Sequence, residues 1–378
     1  MLSALLCALV LALWAFLCLG RLHEDDRFLL DPSPLPAGDP GVSVIIPARN
    51  EAHQIAGCVA SLRAQTLSPK AIVVVDDGST DGMADVVRGL ARSLPHRLPR
   101  EDVPVILVEG GPHPPEGWIG KSHAITQGLP HATGAWLLFT DADTVHGPEA
   151  LASAVGHAQR HGVALLSLTG DQRAAGVWEK IVQPLVFRLL DFLYPMSVVN
   201  GPDPDRAAAN GIYLLVRRDA YEAVGTHAAF RDEILEDVAL ARAVRRAGHR
   251  TAFLRGDALL SVRMYRGLRP LWEGWTKNLW PLLGRSGRRC ALAAAGVLAA
   301  GVLPVAMVWY GGPAGWAAAI GALGAEAWLR TRERGNLIYV ATLPIGALIL
   351  AAMITESARR HPGGGGISWK GRRYPSSP

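Results

Sequence analysis

The spacing of apolar positions divides the chain into a membrane-like beginning, an alternating middle and a membrane-like end. Residues 2–20 carry no charge, and Arg21 follows them. Nineteen residues of helix span roughly 28 Å, close to the hydrocarbon thickness of a bilayer. This predicts a transmembrane helix over 1–21. A cleaved signal peptide fits less well, because no basic residue precedes the run. The positive-inside tendency then places the chain after Arg21 in the cytoplasm. Residues 22–40 read as a linker, since DPSPLPAGDP (31–40) sustains neither helix nor strand.

From 41 to about 285 short apolar runs alternate with helical patterns. VSVIIP (42–47), AIVVVDD (71–77), VPVILVEG (103–110) and AWLLFTDAD (135–143) predict four buried strands. Between them NEAHQIAGCVASLRAQ (50–65), with Asn50 as its N-cap, STDGMADVVRGLARSL (79–94) and KSHAITQGL (121–129) predict helices. This order implies an α/β fold with a mainly parallel sheet covered on both faces. IVQPLVFRLLDFLYPMSVVN (181–200) reads equally as a core helix or an interfacial one, and GIYLLVRR (211–218) as a further strand. EILEDVALARAVRRAGH (233–249) predicts an amphipathic helix burying Ile234, Val238, Ala241 and Val244.

Residues 286–356 are again membrane-like, with apolar runs near 291–310, 314–329 and 336–354; the middle run contains Glu326. A basic tail covers 357–378. RTRERG (330–335) and the tail both invite a cytoplasmic position, yet one crossing separates them, so the parity of the crossings stays open.

Composition sharpens this picture. The chain is 49% hydrophobic and 19% charged, with a mean hydropathy of +0.18. The net charge of +5 sits largely in short Arg/Lys clusters beside apolar runs. That argues for a membrane surface and against nucleic acid. Cys7, Cys18, Cys58 and Cys290 show no paired or metal-like spacing. His113, His123 and His146 read as loop residues without metal-ligand spacing.

The chemistry concentrates at strand ends. Asp141 and Asp143 flank one small residue after the fourth strand, so both side chains point one way in extended chain. Such a pair suits a hard divalent cation that keeps a substrate phosphate as partner. Pro47–Glu51 and Asp76-Asp77 end two other strands, and parallel sheets gather ligands at that edge. Asp76-Asp77-Gly78 also reads as a simple turn and helix start.

VSVIIPARNE (42–51), VVVDDGSTDG (73–82), FTDADT (139–144) and ILEDVALARAVRRAG (234–248) together resemble the signature blocks of family 2 glycosyltransferases, which have the GT-A fold. PEGWIGKSHA (115–124), AANGIYLLVRRDAYEAVG (208–225), RMYRGLRPLWEGWTKNLW (263–280) and WKGRRY resemble membrane-bound members acting on carotenoid-type, hopanoid-associated and other polyisoprenoid lipids. The resemblance implies a Rossmann-like mixed sheet between N- and C-terminal transmembrane helices. It implies a nucleotide-diphosphate sugar donor, a UDP-sugar, with Mg²⁺ or Mn²⁺ as cofactor. Asp143 would contact the metal, and Asp141 the metal or the ribose. Asp76 and Asp77 would recognise base and ribose, with Pro47, Arg49 and Glu51 lining the same pocket. Asp237 occupies the family's general-base position with Glu236 beside it, which implies single displacement with inversion. Both are also reasonable helix-start carboxylates.

Lys121 and Lys277 are candidates to neutralise diphosphate, or are solvated lysines. WTKNLW departs from the family's Gln/Arg-x-x-Arg-Trp block: leucine stands at 279 where arginine would be, and Trp280 is retained. Trp280 would floor the acceptor site. Trp272, Trp275 and Trp280 also read as interface anchors.

The expected protein is an integral protein of a bacterial-type cell membrane, its catalytic domain (41–285) cytoplasmic, moving a sugar to a lipid hydroxyl. Transfer to polyprenyl phosphate is the alternative enzyme, and a non-catalytic scaffold with a degenerate fold the alternative of another class.

Overall fold

The structure, a computed structural model, describes residues 2–24, 27–33, 35–36, 38–92, 103–111, 113–361, 367–369 and 372–374. The expected helix end at 93–94 and half of the basic tail (362–366, 370–371 and 375–378) lie outside them. Helix α1 (Leu2–Glu24) comes first, then β1 (Val42–Ala48), α2 (Ile55–Arg63), β2 (Ala71–Asp76), α3 (Met83–Arg92), β3 (Val105–Glu109), α4 (Gly120–Gly128) and β4 (Trp136–Phe139) alternate. β5 (Thr144–His146), α5 (Ala150–His161), β6 (Val163–Thr169), β7 (Asp171–Gln172), α6 (Val177–Leu193) and α7 (Met196–Val199) follow. Next are β8 (Leu214–Arg217), α8 (Arg218–Ala223), α9 (Glu236–Arg246), β9 (Arg250–Arg255) and β10 (Leu260–Val262). Helices α10 (Leu268–Leu282), α11 (Gly287–Gly301), α12 (Leu303–Tyr310), α13 (Gly312–Arg332) and α14 (Leu343–Arg360) succeed them.

The chain forms two compact units. One comprises 28–173 with 196–264; the other comprises 1–27, 174–195 and 265–378.

The first unit is built on a seven-stranded sheet ordered β3-β2-β1-β4-β8-β6-β9. β1 to β4 are mutually parallel, while β8 runs antiparallel to both of its neighbours. The period-2 alternation of each strand feeds two cores. Val44, Ile46, Ile72 and Val74 face α2, α3 and α5; Ile45, Val73 and Val75 face α4, α8 and α9. Order reverses between β1 and β4, a topological switch point where ligands gather at strand ends.

Four expectations are corrected here. Helix α2 begins at Ile55, and Asn50 is not its N-cap: Asn50 adopts φ 54° and its Oδ1 accepts from the Thr80 N–H at 2.8 Å. Asparagine tolerates that left-handed conformation, so the segment serves as a loop clasp instead. Helix α9 starts at Glu236, leaving Ile234 ahead of it; the buried face is Val238, Leu240, Ala241 and Val244. His123 lies in α4, and His146 is a buried residue of β5.

His146 lies within 3.2 Å of Ser61 Oγ and 3.1 Å of Thr140 Oγ1. His227, also buried, lies 2.7 Å from the Tyr221 hydroxyl. Burial lowers both imidazole pKa values to about 3, with Lys121 adding to the effect at His227. Unfolded histidine titrates near 6.5, so below that pH the unfolded chain takes up protons the fold refuses. Their contribution to stability is therefore complete above about pH 6.5 and shrinks as pH falls toward 3. Each histidine should cost about 2 kcal/mol between pH 6.5 and 5. Thermal unfolding in detergent should show this loss, and His146→Asn should reduce the slope; an unchanged slope would refute it.

The second unit holds the long apolar helices. Leu2–Gly20 and Leu337–Arg360 are long and apolar enough to cross a membrane, and α11 with α12 forms a third candidate bent by 52°. Cys7, Val10 and Trp14 of α1 share a core with Met307, Ala318, Ala322, Leu329 and Leu343. α6 belongs to this unit. Its Arg188 grips the Glu333 carboxylate through Nε and Nη2, both at 2.8 Å, and pairs with Glu326 through Nη1. Arg330 Nε reaches Glu326 at 2.5 Å and its Nη1 donates to the Lys180 carbonyl. A buried carboxylate needs such partners, which accounts for Glu326 in an apolar run. Trp275 is not an interface anchor: it is buried against Phe187 and Tyr265.

Candidate active site

Three loops meet at the ends of β1, β2 and β4. The Arg49 guanidinium donates to the Asp77 carbonyl at 2.8 Å, the Asn50 N–H to Ser79 Oγ, and the Ala52 N–H to Asp81 Oδ2. Asp76, buried, accepts the Ser79 N–H at 2.8 Å, so its carboxylate shapes its own turn. Asp77 is buried beside it, and Pro47 lies within β1 in register with Val75. Glu51 accepts from the Gln54 amide at 3.0 Å. These residues form one rim at the switch point.

Asp141 and Asp143 follow β4 on the same edge, both partly exposed. Beneath them lies Cys58, whose Sγ is 3.7 Å from the Asp141 carbonyl. Burial first, then the charges of Asp143 and Asp141, pushes its thiol pKa well up and keeps it protonated. Among the described residues no group of three or more His, Cys, Asp or Glu is arranged to hold a metal ion. The local donor set is thus two carboxylates without a thiolate. That fits a Mg²⁺- or Mn²⁺-type ion completing its shell with substrate phosphate and water, and does not suit a thiolate-held metal.

Helix α9 brings the second acidic pair to this edge. Glu236 is buried and Asp237 partly buried, both in the first turn, where the helix dipole favours negative charge. Asp237 Oδ2 accepts the Gly211 N–H at 2.8 Å, and Oδ1 the N–H of Val238 at 2.8 Å. Desolvation and the neighbouring Glu236 raise the Asp237 pKa to about 7, against the lowering effect of Lys121 and the two backbone donors. A carboxyl poised there can take a proton near neutral pH.

Lys121 joins the two acidic pairs. Its Nζ is 2.9 Å from Asp141 Oδ1 and 3.0 Å from Glu236 Oε1. Desolvation lowers its pKa, but Asp141, Glu236 and Asp237 outweigh that and hold the ammonium well above its ordinary range. The start of α4 is fixed for this purpose: the Ile119 N–H donates to the Arg231 carbonyl at 2.6 Å, in the loop leading to α9. Gly211 is a residue of this edge that sequence reasoning leaves unassigned. A Cβ at this position would push the flexible Lys121 ammonium aside, while the Gly211 N–H orients Asp237. The signal available was a lone glycine opening the apolar run at 211–218.

Lys277 and Trp280 lie on α10, in the other unit. The Trp280 ring lies tilted against His361 with centroids 6.2 Å apart, and its backbone N–H donates to Ser357 Oγ at 2.8 Å. They are not among the groups the first unit gathers.

Comparison with known proteins bears on this edge directly. Residues 43–238 match the profile described as Glycosyl transferase family 2. The chain belongs to glycosyl transferase family 2. Two relatives described as 4,4'-diaponeurosporenoate glycosyltransferase, from Staphylococcus aureus strains MRSA252 and USA300, are each 30% identical to it. The first match covers 74% of this chain and 71% of the relative; the second covers 69% and 66%. A solved structure of the mannosyltransferase PcManGT from Pyrobaculum calidifontis, in complex with GDP-Man and Mn²⁺, superposes with a TM-score of 0.56 at 22% identity. That match covers 95% of this chain and 98% of the other. It supports the fold, which is GT-A with terminal apolar helices. This family 2 glycosyltransferase is an enzyme, and the scaffold reading gives way.

Proposed function

We propose that this family 2 glycosyltransferase moves a sugar from a nucleotide-diphosphate sugar to a hydroxyl of a carotenoid-type or related polyisoprenoid membrane lipid, with inversion, at the cytoplasmic face. The observation that carries this reading is the meeting of two acidic pairs, Asp141/Asp143 and Glu236/Asp237, on one sheet edge around Lys121. Asp76, Asp77, Pro47, Arg49 and Glu51 would hold the nucleoside, here a UDP-sugar. Asp141 and Asp143 would hold Mg²⁺ or Mn²⁺, which supplies charge neutralisation of the departing diphosphate when bound. Asp237 takes the acceptor proton, held in place by the Gly211 N–H. With one positioned base and no carboxylate assigned to attack the sugar, transfer proceeds by single displacement. The acceptor class is supported by the names of the staphylococcal relatives.

Those names describe a carboxylate, which favours a second reading of the acceptor. An acceptor arriving as an anion, whether carotenoid carboxylate or polyprenyl phosphate, needs no general base. Donor-dependent nucleotide release by detergent-solubilised protein, with alcohol and carboxylate carotenoids supplied separately, tests the function. Release that no lipid stimulates would refute lipid transfer.

Cytoplasmic placement of the catalytic unit is supported by the uncharged run 2–20 ahead of Arg21 and by the need for a cytosolic nucleotide-sugar donor. A reporter fused near residue 150 should read cytoplasmic, and a periplasmic signal would overturn the placement.

A further inference from the structure

We infer that Lys121 is a resident counter-ion, an ammonium that holds Asp141 and Glu236 together until a divalent cation arriving with nucleotide diphosphate displaces it from Asp141. This rests on the reading of Asp141 and Asp143 as the cation-holding pair.

Four carboxylates converge on this edge, and unopposed they would repel one another. Among the described residues, the ion pairs of Asp141 and of Glu236 both go to Lys121 Nζ, at 2.9 and 3.0 Å. The ammonium therefore stands where an incoming cation would find its first oxygen. Space for it is built in, because Gly211 has no side chain to exclude it. It is also able to leave. The Lys121 side chain is 30% exposed, and lysine is a compact charge on a flexible four-carbon stem. Glu236 remains as the partner to which it can stay bound after giving up Asp141.

A divalent ion alone must compete with this ammonium for Asp141 and gains only two protein carboxylates. Nucleotide diphosphate adds phosphate ligands and tips the exchange. Cation binding is thereby tied to donor binding. Release of Asp141 also leaves Lys121 with the acceptor-side pair alone, so donor loading would be felt at Glu236 and Asp237.

The test uses the full-length protein in detergent, Mn²⁺ as the probe, and paramagnetic resonance of free Mn²⁺ as the readout, with and without UDP. Lys121→Gln should tighten Mn²⁺ binding in the absence of UDP by at least about tenfold, by analogy with the roughly tenfold or greater loss of proton affinity that an adjacent opposite charge imposes on a carboxylate. Lys121→Arg, which keeps the charge, should stay weak. A second neutral variant, Lys121→Met, should match Lys121→Gln and stands in for it if that one misfolds. In an Asp141→Asn background the neutral variants should produce no tightening. A merely structural lysine would give weaker Mn²⁺ binding on removal. Unchanged or weaker binding in the neutral variants, with wild type binding Mn²⁺ in the presence of UDP, overturns the counter-ion role alone. Absence of Mn²⁺ binding to every form, even with UDP, overturns the cation site and this inference with it.

Discussion

Asp237→Asn should lower turnover on a hydroxyl acceptor by at least about a hundredfold while leaving nucleotide affinity near wild type. A positioned general base contributes typically 10²–10⁴-fold, or about 3–5 kcal/mol of barrier. The substitution preserves shape. An amide oxygen can still accept the Gly211 or the Val238 N–H, both now at 2.8 Å from the carboxylate. Basicity is removed together with one of these two hydrogen bonds, since the amide NH2 meets the other N–H as a second donor. A helix-start charge without a catalytic role would cost about 0.3–1 kcal/mol of stability and leave turnover nearly intact. Since the Asp237 pKa is raised to about 7, wild-type kcat/KM should climb as pH rises through neutrality, and the variant should lose that limb. Two outcomes would decide the assignment. Full turnover on an alcohol acceptor makes Asp237 a helix-start residue and Glu236 the next candidate. Loss confined to alcohol acceptors, with carboxylate acceptors untouched, identifies the base and shows that the enzyme serves both classes.

Asp143→Asn should lose most activity, on the order of a hundredfold or more, while the protein still folds. EDTA should abolish transfer by wild type, and Mn²⁺ or Mg²⁺ should restore it. A divalent ion neutralising the departing diphosphate is worth several kcal/mol, and each 1.4 kcal/mol is tenfold in rate. The residue is partly exposed, so its replacement by an isosteric amide threatens the core little. Activity that survives both EDTA and the substitution would mean the charge is neutralised by side chains instead. Lys121, between Asp141 and Glu236, would then be the group to examine.

Much of the catalytic unit was legible because its first four strands are short buried runs separated by turn residues. Val44/Ile46 and Ile45 divide between the two cores as period-2 reading requires. The carboxylates after those strands were equally plain, since parallel topology fixes which end they occupy. The pattern over 50–65 starts the helix too early, because the Asn50 side chain caps a loop 30 residues away rather than its own helix. β9 carries arginines at both ends and an exposed first residue, so its place beside β6 comes from tertiary pairing, not from local pattern. Two features of the site were invisible for the same reason. Lys121 looks like any solvated lysine until α4 and α9 are docked. Gly211 acquires meaning only when a side chain there would strike the ammonium. Trp275 misleads in the opposite sense: a tryptophan-rich stretch suggests a headgroup anchor, whereas Phe187 and Tyr265 enclose the ring.

Helix α6 interrupts the catalytic unit in sequence yet belongs to the unit of apolar helices, so the chain passes between the units at 27/28, 173/174, 195/196 and 264/265. This has consequences for biosynthesis. The sheet cannot close until β8 and β9 emerge, after α6 has been made with Arg188 still lacking Glu326 and Glu333. The partners of that arginine are made about 140 residues later. During synthesis α6 therefore waits as a nascent segment holding an unneutralised charge, and a fragment cut at 28–264 would keep it in that condition permanently. Excising the catalytic half as a soluble enzyme requires replacing α6, not merely trimming the ends.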